Sequence, residues 1–433
     1  MGKASVLIEK INGSGYDSIF GQLYGTENIV SQKERYVSAI RSFIETFGED
    51  RDGESRDIEI FSVPGRVELC GNHTDHNNGL VMAASVNLDT LAVAAANGSR
   101  EARIRSEGYE TMITAGLSSL EPDAGEFGLS IGMIRGVAAG LKNFGGSTGG
   151  FDACITSDVT RGSGLSSSAS FEITVASVLN HLFNEGRFTP IELGRIGQFA
   201  ENVFFGKPSG LQDQLACAVG GVITIDLADQ ESPQVKRMDF DLDRFRLKLV
   251  VTDTMGSHAD LTNEYSAVRS EMESAAGVFG KTVMNDVDPE EFFSRLADVR
   301  SAAGDRAALR AIHFIEEDKR VAELASAIED GRIDDILRLV IESGHSSFEY
   351  NQNAYPMGAL TQEIPIALAC SQWLLAGRGA WRLQGGGFAG TIQAYVPLEL
   401  VDAYCGLMDS VFGPGAGRVM TIRKAGCVKV VFS

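Results

Sequence analysis

Four stretches of this chain concentrate residue types that can do chemistry. The first is Pro64-Gly65-Arg66-Val67-Glu68-Leu69-Cys70-Gly71-Asn72-His73-Thr74-Asp75-His76-Asn77-Asn78-Gly79. A strand exits into a polar loop bearing Arg66, Asn72, His73 and Asp75, and such dense donors and acceptors suit a polyhydroxylated ligand. The plain alternative is a connecting loop bonded to itself. A metal site from His73, Asp75 and His76 is disfavoured, because not all of these close neighbours can face one ion. The second stretch is Gly162-Ser163-Gly164-Leu165-Ser166-Ser167-Ser168, just before a helix. Open backbone N–H groups at a positive helix end make an anion cradle, and serine hydroxyls add hydrogen bonds and a magnesium ligand. A nucleophile elbow needs Gly-x-Ser-x-Gly, and Ser168 stands where its last glycine belongs, so a hydrolase is rejected. The alternative here is a Gly/Ser turn that merely caps a helix. The third places Glu201 and Asp213 around Gly206-Lys207-Pro208-Ser209-Gly210. One acid could hold a metal and the other orient a hydroxyl, although an Asp after a turn is usually a helix N-cap. In the fourth, Gly385, Gly387 and Gly390 match a dinucleotide fingerprint, but an alternating strand follows where that fold requires a helix. Those glycines let backbone approach closely instead. Gly280-Lys281-Thr282 lacks the first glycine of a phosphate loop, having Ala275 there, and trails a helix.

The elements that must position these stretches are legible in outline. Helical spacing covers Ser31 to Phe47, Leu129 to Asn143, Ser167 to Phe183 and Ile191 to Phe205. Strands are expected at Ile58 to Val63, Leu80 to Ala94, Phe151 to Thr156 and Gly220 to Leu227. A polar, acidic stretch from Ala228 to Asp243 sets the expected boundary, giving domains 1–240 and 241–433. The second half opens on a strand, Arg246 to Asp253. Helices follow at Asn263 to Phe279, Pro289 to Val299, Arg306 to Ile328, Ile333 to Glu342 and Gln362 to Ala376. Strands at Thr391 to Val396 and Val419 to Ile422 close it, around a helix at Leu398 to Phe412.

A length of 433 residues allows two or three domains, and 44% hydrophobic with 22% charged residues is a globular profile. Lys and Arg total 38 against 58 Asp and Glu, a net charge of −20. That balance argues against nucleic acid and anionic membranes as partners, while leaving room for small anions held by local donors. No apolar run reaches ~18 residues, so no transmembrane helix is expected. The start fits neither a signal peptide nor a myristoylation pattern. Six scattered cysteines form no Cys-x-x-Cys pair and read as core residues of a reduced, cytoplasmic protein.

Taken in order, the first, second and fourth stretches resemble the three motifs of the GHMP small-molecule kinases. The first is similar to the signature of the galactokinase family, usually Gly-Arg-Val-Asn-Leu-Ile-Gly-Glu-His-Thr-Asp-Tyr-Asn. Gly210-Leu211-Gln212-Asp213-Gln214 resembles that family's Gly-Ile-Met-Asp-Gln. His313, Glu316 and Arg320, Gly344 to Ser347, and Glu264-Tyr265 with Arg269 also fit its pattern. The resemblance implies an α+β, two-domain GHMP-kinase fold, with a ribosomal-protein-S5-like N-terminal domain, a ferredoxin-like C-terminal domain and ligands in the cleft between. It implies magnesium-dependent transfer of the ATP γ-phosphoryl group to the anomeric hydroxyl of galactose. Carried over residue by residue, Asp213 accepts or orients the C1 hydroxyl, with Arg66 beside it. Gly162, Ser163, Gly164, Leu165, Ser166, Ser167 and Ser168 wrap the ATP phosphates, and Ser168 with Glu201 binds Mg²⁺. Asn72, His73, Asp75, Gly210 and Tyr265 hold the sugar, and a monomer or weak homo-oligomer is expected. Asn72 and His76 stand where Glu and Tyr are usual, which opens the alternatives of another sugar (N-acetylgalactosamine, galacturonic acid or arabinose) or a non-catalytic sugar sensor.

Overall fold

A computed structural model of the chain describes residues 3–51, 54–160, 162–256 and 261–432. The architecture is α+β, built on two main sheets beside a short antiparallel pair, Asp50–Arg51 with Glu54–Ser55. The larger has eight strands in the order Val428–Val430, Glu59–Cys70, Leu80–Ala96, Phe151–Ser157, Glu101–Ser106 and Ile113–Gly116. The first half of Leu80–Ala96 also pairs with Val222–Asp226, and that strand with Gln234–Met238. All its pairings are antiparallel except that of Glu101–Ser106 with Phe151–Ser157. The smaller sheet is antiparallel, ordered Ala380–Leu383, Thr391–Pro397, Leu247–Asp253 and Gly417–Met420.

All twelve residues of Glu59–Cys70 are buried, so this strand is packed on both faces and does not show the alternation of a half-exposed strand. It carries two irregularities in its pairing, between Pro64 and Arg66 and between Glu68 and Cys70. Pro64 cannot donate to the ladder, and a bulge there re-aims the side chain that follows. Gly65 sits in the first irregularity, where a Cβ would come within 2.9 Å of the Leu165 carbonyl. Its absence lets the Gly/Ser loop dock on the strand, with Arg66 N–H donating to Leu165 O at 3.1 Å.

Most expected elements are present, with differences that have local causes. The expected helix from Ile191 to Phe205 is α-helical over Pro190–Phe199 and widens to a π-turn at Ala200–Phe204. The single helix expected over Pro289 to Val299 is two, Pro289–Ser294 and Leu296–Ala303, broken where Arg295 leaves helical geometry (φ −114°, ψ 23°). The polar stretch around the expected boundary contains the strand Gln234–Met238, whose outward positions are polar because it is an edge. The final strand, Val428–Val430, returns to the first sheet beside Ile60 to Ser62. A buried network fixes that return: Arg423 and Arg35 both pair with Asp89, which also accepts from Tyr24 at 2.6 Å.

Candidate functional site

The four stretches meet between the two sheets. Asp213 lies in the first turn of the helix Gln212–Val219, whose N-cap position is Leu211, so its carboxylate is not engaged in capping. Arg66 Nε donates to Asp213 Oδ1 at 2.7 Å, and Ser166 Oγ donates to Oδ2 at 2.5 Å. Burial pushes the Asp213 carboxyl up, but the adjacent Arg66 guanidinium more than offsets this and holds it below the usual carboxylate range. Its side chain keeps 37% exposure, so it faces the cleft, whereas Arg66 keeps 6%. Arg66 also donates to the Gly164 carbonyl at 2.5 Å, tying Asp213 and the loop together.

Ser166 stands at the N-terminus of the helix Ser167–Asn184 in the left-handed region (φ 60°), and its side chain makes no capping hydrogen bond to that helix. A serine held there is strained, and its hydroxyl goes to Asp213 where a cap would otherwise use it. Gly164 is also left-handed (φ +67°), and a Cβ there would fall 1.9 Å from Thr391 Oγ1 of the second sheet. Leu165 is buried, and Ser163 Oγ donates to Thr160 O at 2.6 Å. Arg161, which precedes this loop, lies outside the described residues.

The π-turn Ala200–Phe204 turns Glu201 inward, leaving its side chain 2% exposed. Its Oε2 accepts from Gln214 Nε2 at 2.9 Å, and Oε1 faces Ser168 Oγ at 3.4 Å and Lys207 Nζ at 2.8 Å. A carboxylate and a hydroxyl converging on one side are hard oxygen donors, a set that fits Mg²⁺ shared with a substrate's phosphates. Among the described residues, no group of three or more His, Cys, Asp or Glu could hold a metal unaided. Gln214 Nε2 also donates to Glu172 at 3.0 Å. Burial, then repulsion from Glu201, raises the Glu172 carboxyl well above its usual range.

At the other end of the cleft, Asp75 packs against Gly210, where a Cβ would lie 1.8 Å from Asp75 Oδ2. Burial, then the nearby Asp213, pushes Asp75 up to about 6. His73 Nε2–H donates to Gly386 O at 2.9 Å, and burial lowers this ring to about 3, so it is neutral with Nδ1 as its acceptor. His76 is lowered to about 4, chiefly by burial and then by Arg269. Tyr265 donates from its hydroxyl to Gly387 O at 2.9 Å and packs edge-on against Phe388. The Gly385–Gly387 loop thus reaches the site from the second sheet.

Asn72 is placed differently from its expected role at a sugar. It is fully buried, donating to Glu68 Oε1 at 2.9 Å and Gly385 O at 2.7 Å. Its oxygen accepts from Ser347, Asn351 and Asn353. Its amide is therefore saturated by the protein, and it braces the loops from behind. The pattern residue Glu316 is on the surface beside Lys319, while its neighbour Glu317 is the buried acid, accepting from the backbone N–H of Gly71 at 3.0 Å. His313 bridges Asn72 O and Ser346 Oγ, both at 2.8 Å. Lys207, Glu172, Gln214 and Arg382 carry the site's remaining polar links. Of these, Lys207 was visible only as part of a turn, and Arg382 pairs with Glu68 at 2.7 Å across the two sheets. A cavity of ≈ 540 Å³, lined among others by Arg237, Phe240, Leu249 and Lys424, shares no residue with this site.

Residues 132–221 match the GHMP kinases N terminal domain, and residues 41–96 match the galactokinase galactose-binding signature. The fold is similar to that of Methanococcus jannaschii mevalonate kinase (14% identity, TM-score 0.58, 88% of this chain and 100% of that one). It is also similar to Streptococcus pneumoniae phosphomevalonate kinase (12% identity, TM-score 0.57, 86% and 99%). These matches support a kinase-type phosphotransferase whose acceptor is an alcohol group, with a fold similar to that of the GHMP kinases. Within that class the chain resembles galactokinases: it is similar to Lactococcus lactis galactokinase complexed with galactose, at 25% identity and a TM-score of 0.78 over 90% of this chain and 98% of that one. Among the described residues, no helix is long and apolar enough to cross a membrane.

Proposed function

We propose that this chain transfers the γ-phosphoryl group of ATP to the anomeric C1 hydroxyl of galactose, giving galactose 1-phosphate as the first step of galactose catabolism. The observation that carries the reading is the Arg66–Asp213–Ser166 contact set, a half-exposed carboxylate held ionised at the junction of the phosphate loop and the Asp75 end of the cleft. Asp213 would accept or orient the C1 hydroxyl proton, and Arg66 would help neutralise charge on the transferring group. The loop from Gly162 to Ser168 would cradle the phosphates at an uncapped helix start. Ser168 and Glu201 would hold Mg²⁺, which neutralises the β- and γ-phosphate charge when bound. Asp75, His73 Nδ1 and the Gly210 backbone would receive sugar hydroxyls, with Tyr265 bracing the Gly385–Gly387 loop. This assignment depends on positioning and charge, as phosphoryl transfer does.

A second reading, a 1-kinase for another sugar, is favoured by one observation. Asn72 replaces a carboxylate of the usual signature and has no hydrogen-bonding capacity left over for ligand. The sensor reading is countered by the presence of Asp213, Arg66, Ser168 and Glu201 together. The discriminating experiment is Asp213→Asn, which should lower turnover by ~10²–10⁴, the range for a positioned base, while ATP binding persists. Turnover near that of the unaltered protein would rule out the assigned base.

A further inference from the structure

Lys207 has no role in the assignments above, yet its ammonium is inside the site. It follows Gly206, which is left-handed (φ +75°), and its N–H donates to the Glu201 carbonyl at 3.0 Å, so the turn pins its backbone over the π-turn. Nζ reaches Glu201 Oε1 at 2.8 Å. That oxygen is the one turned to Ser168, because Gln214 engages Oε2. The lysine therefore occupies the one carboxylate oxygen that a metal ion held by Ser168 and Glu201 would use.

The pair is also lopsided. Glu201 is 2% exposed and cannot move far, while the lysine side chain is 57% exposed on a flexible stem. An ion pair with one solvated partner is weak and readily exchanged. Arg66, by contrast, is committed to Asp213 and Gly164. A compact ammonium on a mobile stem beside an anion cradle is a phosphate ligand by its chemistry.

We propose that Lys207 is a movable catalytic cation that neutralises Glu201 until a divalent ion takes that carboxylate, and then swings its side chain so that the ammonium pairs with the phosphate chain of ATP. The proposal rests on the reading of Ser168 and Glu201 as the metal-holding pair. Lys207→Met, Lys207→Arg and Glu201→Gln test it. Binding of Mn²⁺ without nucleotide is followed by electron paramagnetic resonance, and MgATP binding and turnover are measured separately. Lys207→Met should bind free Mn²⁺ roughly 2- to 5-fold more tightly, as a weak competing ion pair is removed. It should also bind MgATP more weakly and turn over roughly 10²-fold more slowly, as for loss of one stabilising group. Lys207→Arg should recover MgATP binding, and sugar affinity should be unchanged in both. If Lys207→Met alters Mn²⁺ affinity alone, the lysine is a static partner and the proposal fails. It also fails if neither quantity changes while Glu201→Gln abolishes Mn²⁺ binding. If Glu201→Gln binds Mn²⁺ as before, the metal-holding reading falls and takes the proposal with it. An unaltered protein that binds MgATP but phosphorylates no sugar would overturn the sugar reading, and the Mn²⁺ and MgATP arms would still decide on Lys207.

Discussion

On the proposed reading, Gly210→Ala separates the sugar end of the cleft from the phosphoryl-transfer end. The Cβ it adds would lie 1.8 Å from Asp75 Oδ2 and 2.2 Å from Cγ. An unstrained contact needs roughly 3.5 Å, so the carboxylate must retreat by about 1.7 Å. Gly210 is not in the left-handed region, so alanine brings no backbone strain of its own. A retreat of that size removes Asp75 from hydrogen-bond distance of any hydroxyl it holds. One hydrogen bond to a charged group contributes about 1.5–3 kcal/mol, which converts to roughly 10- to 150-fold in sugar affinity. The three atoms nearest the new methyl group all belong to Asp75, so the contacts among Arg66, Asp213 and Ser166 are expected to persist. Steady-state kinetics with varied galactose should therefore show KM raised by that factor and kcat changed far less, with sugar affinity from calorimetry following KM. A KM within twofold of the unaltered protein would refute the placement of Asp75 at the sugar, and equal losses in kcat would refute the separation of the two ends.

If Asp75 holds the sugar, KM should fall as pH rises through about 6, because Asp75 is pushed up to about 6 and its ionised form accepts hydroxyl hydrogen bonds more strongly, with both oxygens. Proton release on galactose binding, measured by calorimetry in two buffers near pH 6, checks the sign. Asp213 is held below the usual range and His73 is lowered to about 3, so neither should add a limb near neutrality. Arg382→Met leaves the buried Glu68 carboxylate without its 2.7 Å partner, and breaking such a pair should cost about 3–5 kcal/mol in denaturant unfolding. Adding Glu68→Gln should recover part of that loss, and no recovery would mean that the two do not act as a pair.

What could be read in the sequence follows the range of the interactions involved. Helical and strand periodicity is local, and the strands around Ile60 and Val86 and the helix after Ser167 were legible from it. The π-turn at Ala200 was not, since it differs from a helix by a single inserted residue while the apolar pattern runs on. Gln234–Met238 was hidden because an edge strand carries polar residues, here Gln234, Lys236 and Arg237. Arg66, Asp213 and the serine loop could be picked out by residue type and motif order. The role of Asn72 could not: its partners Ser347, Asn351, Asn353 and Gly385 come from elements far along the chain. The choice between Glu316 and Glu317 turned on one step of about 100° around a helix, which the pattern alone does not resolve.

The most direct test of the account is to identify the product by phosphorus NMR after incubation with ATP, Mg²⁺ and a panel of galactose, glucose, N-acetylgalactosamine, galacturonic acid and arabinose. The account predicts galactose 1-phosphate, formed in equal amount with ADP and lost in Asp213→Asn. Phosphorylation of a different sugar alone, of a hydroxyl other than C1, or of none of the panel would contradict it.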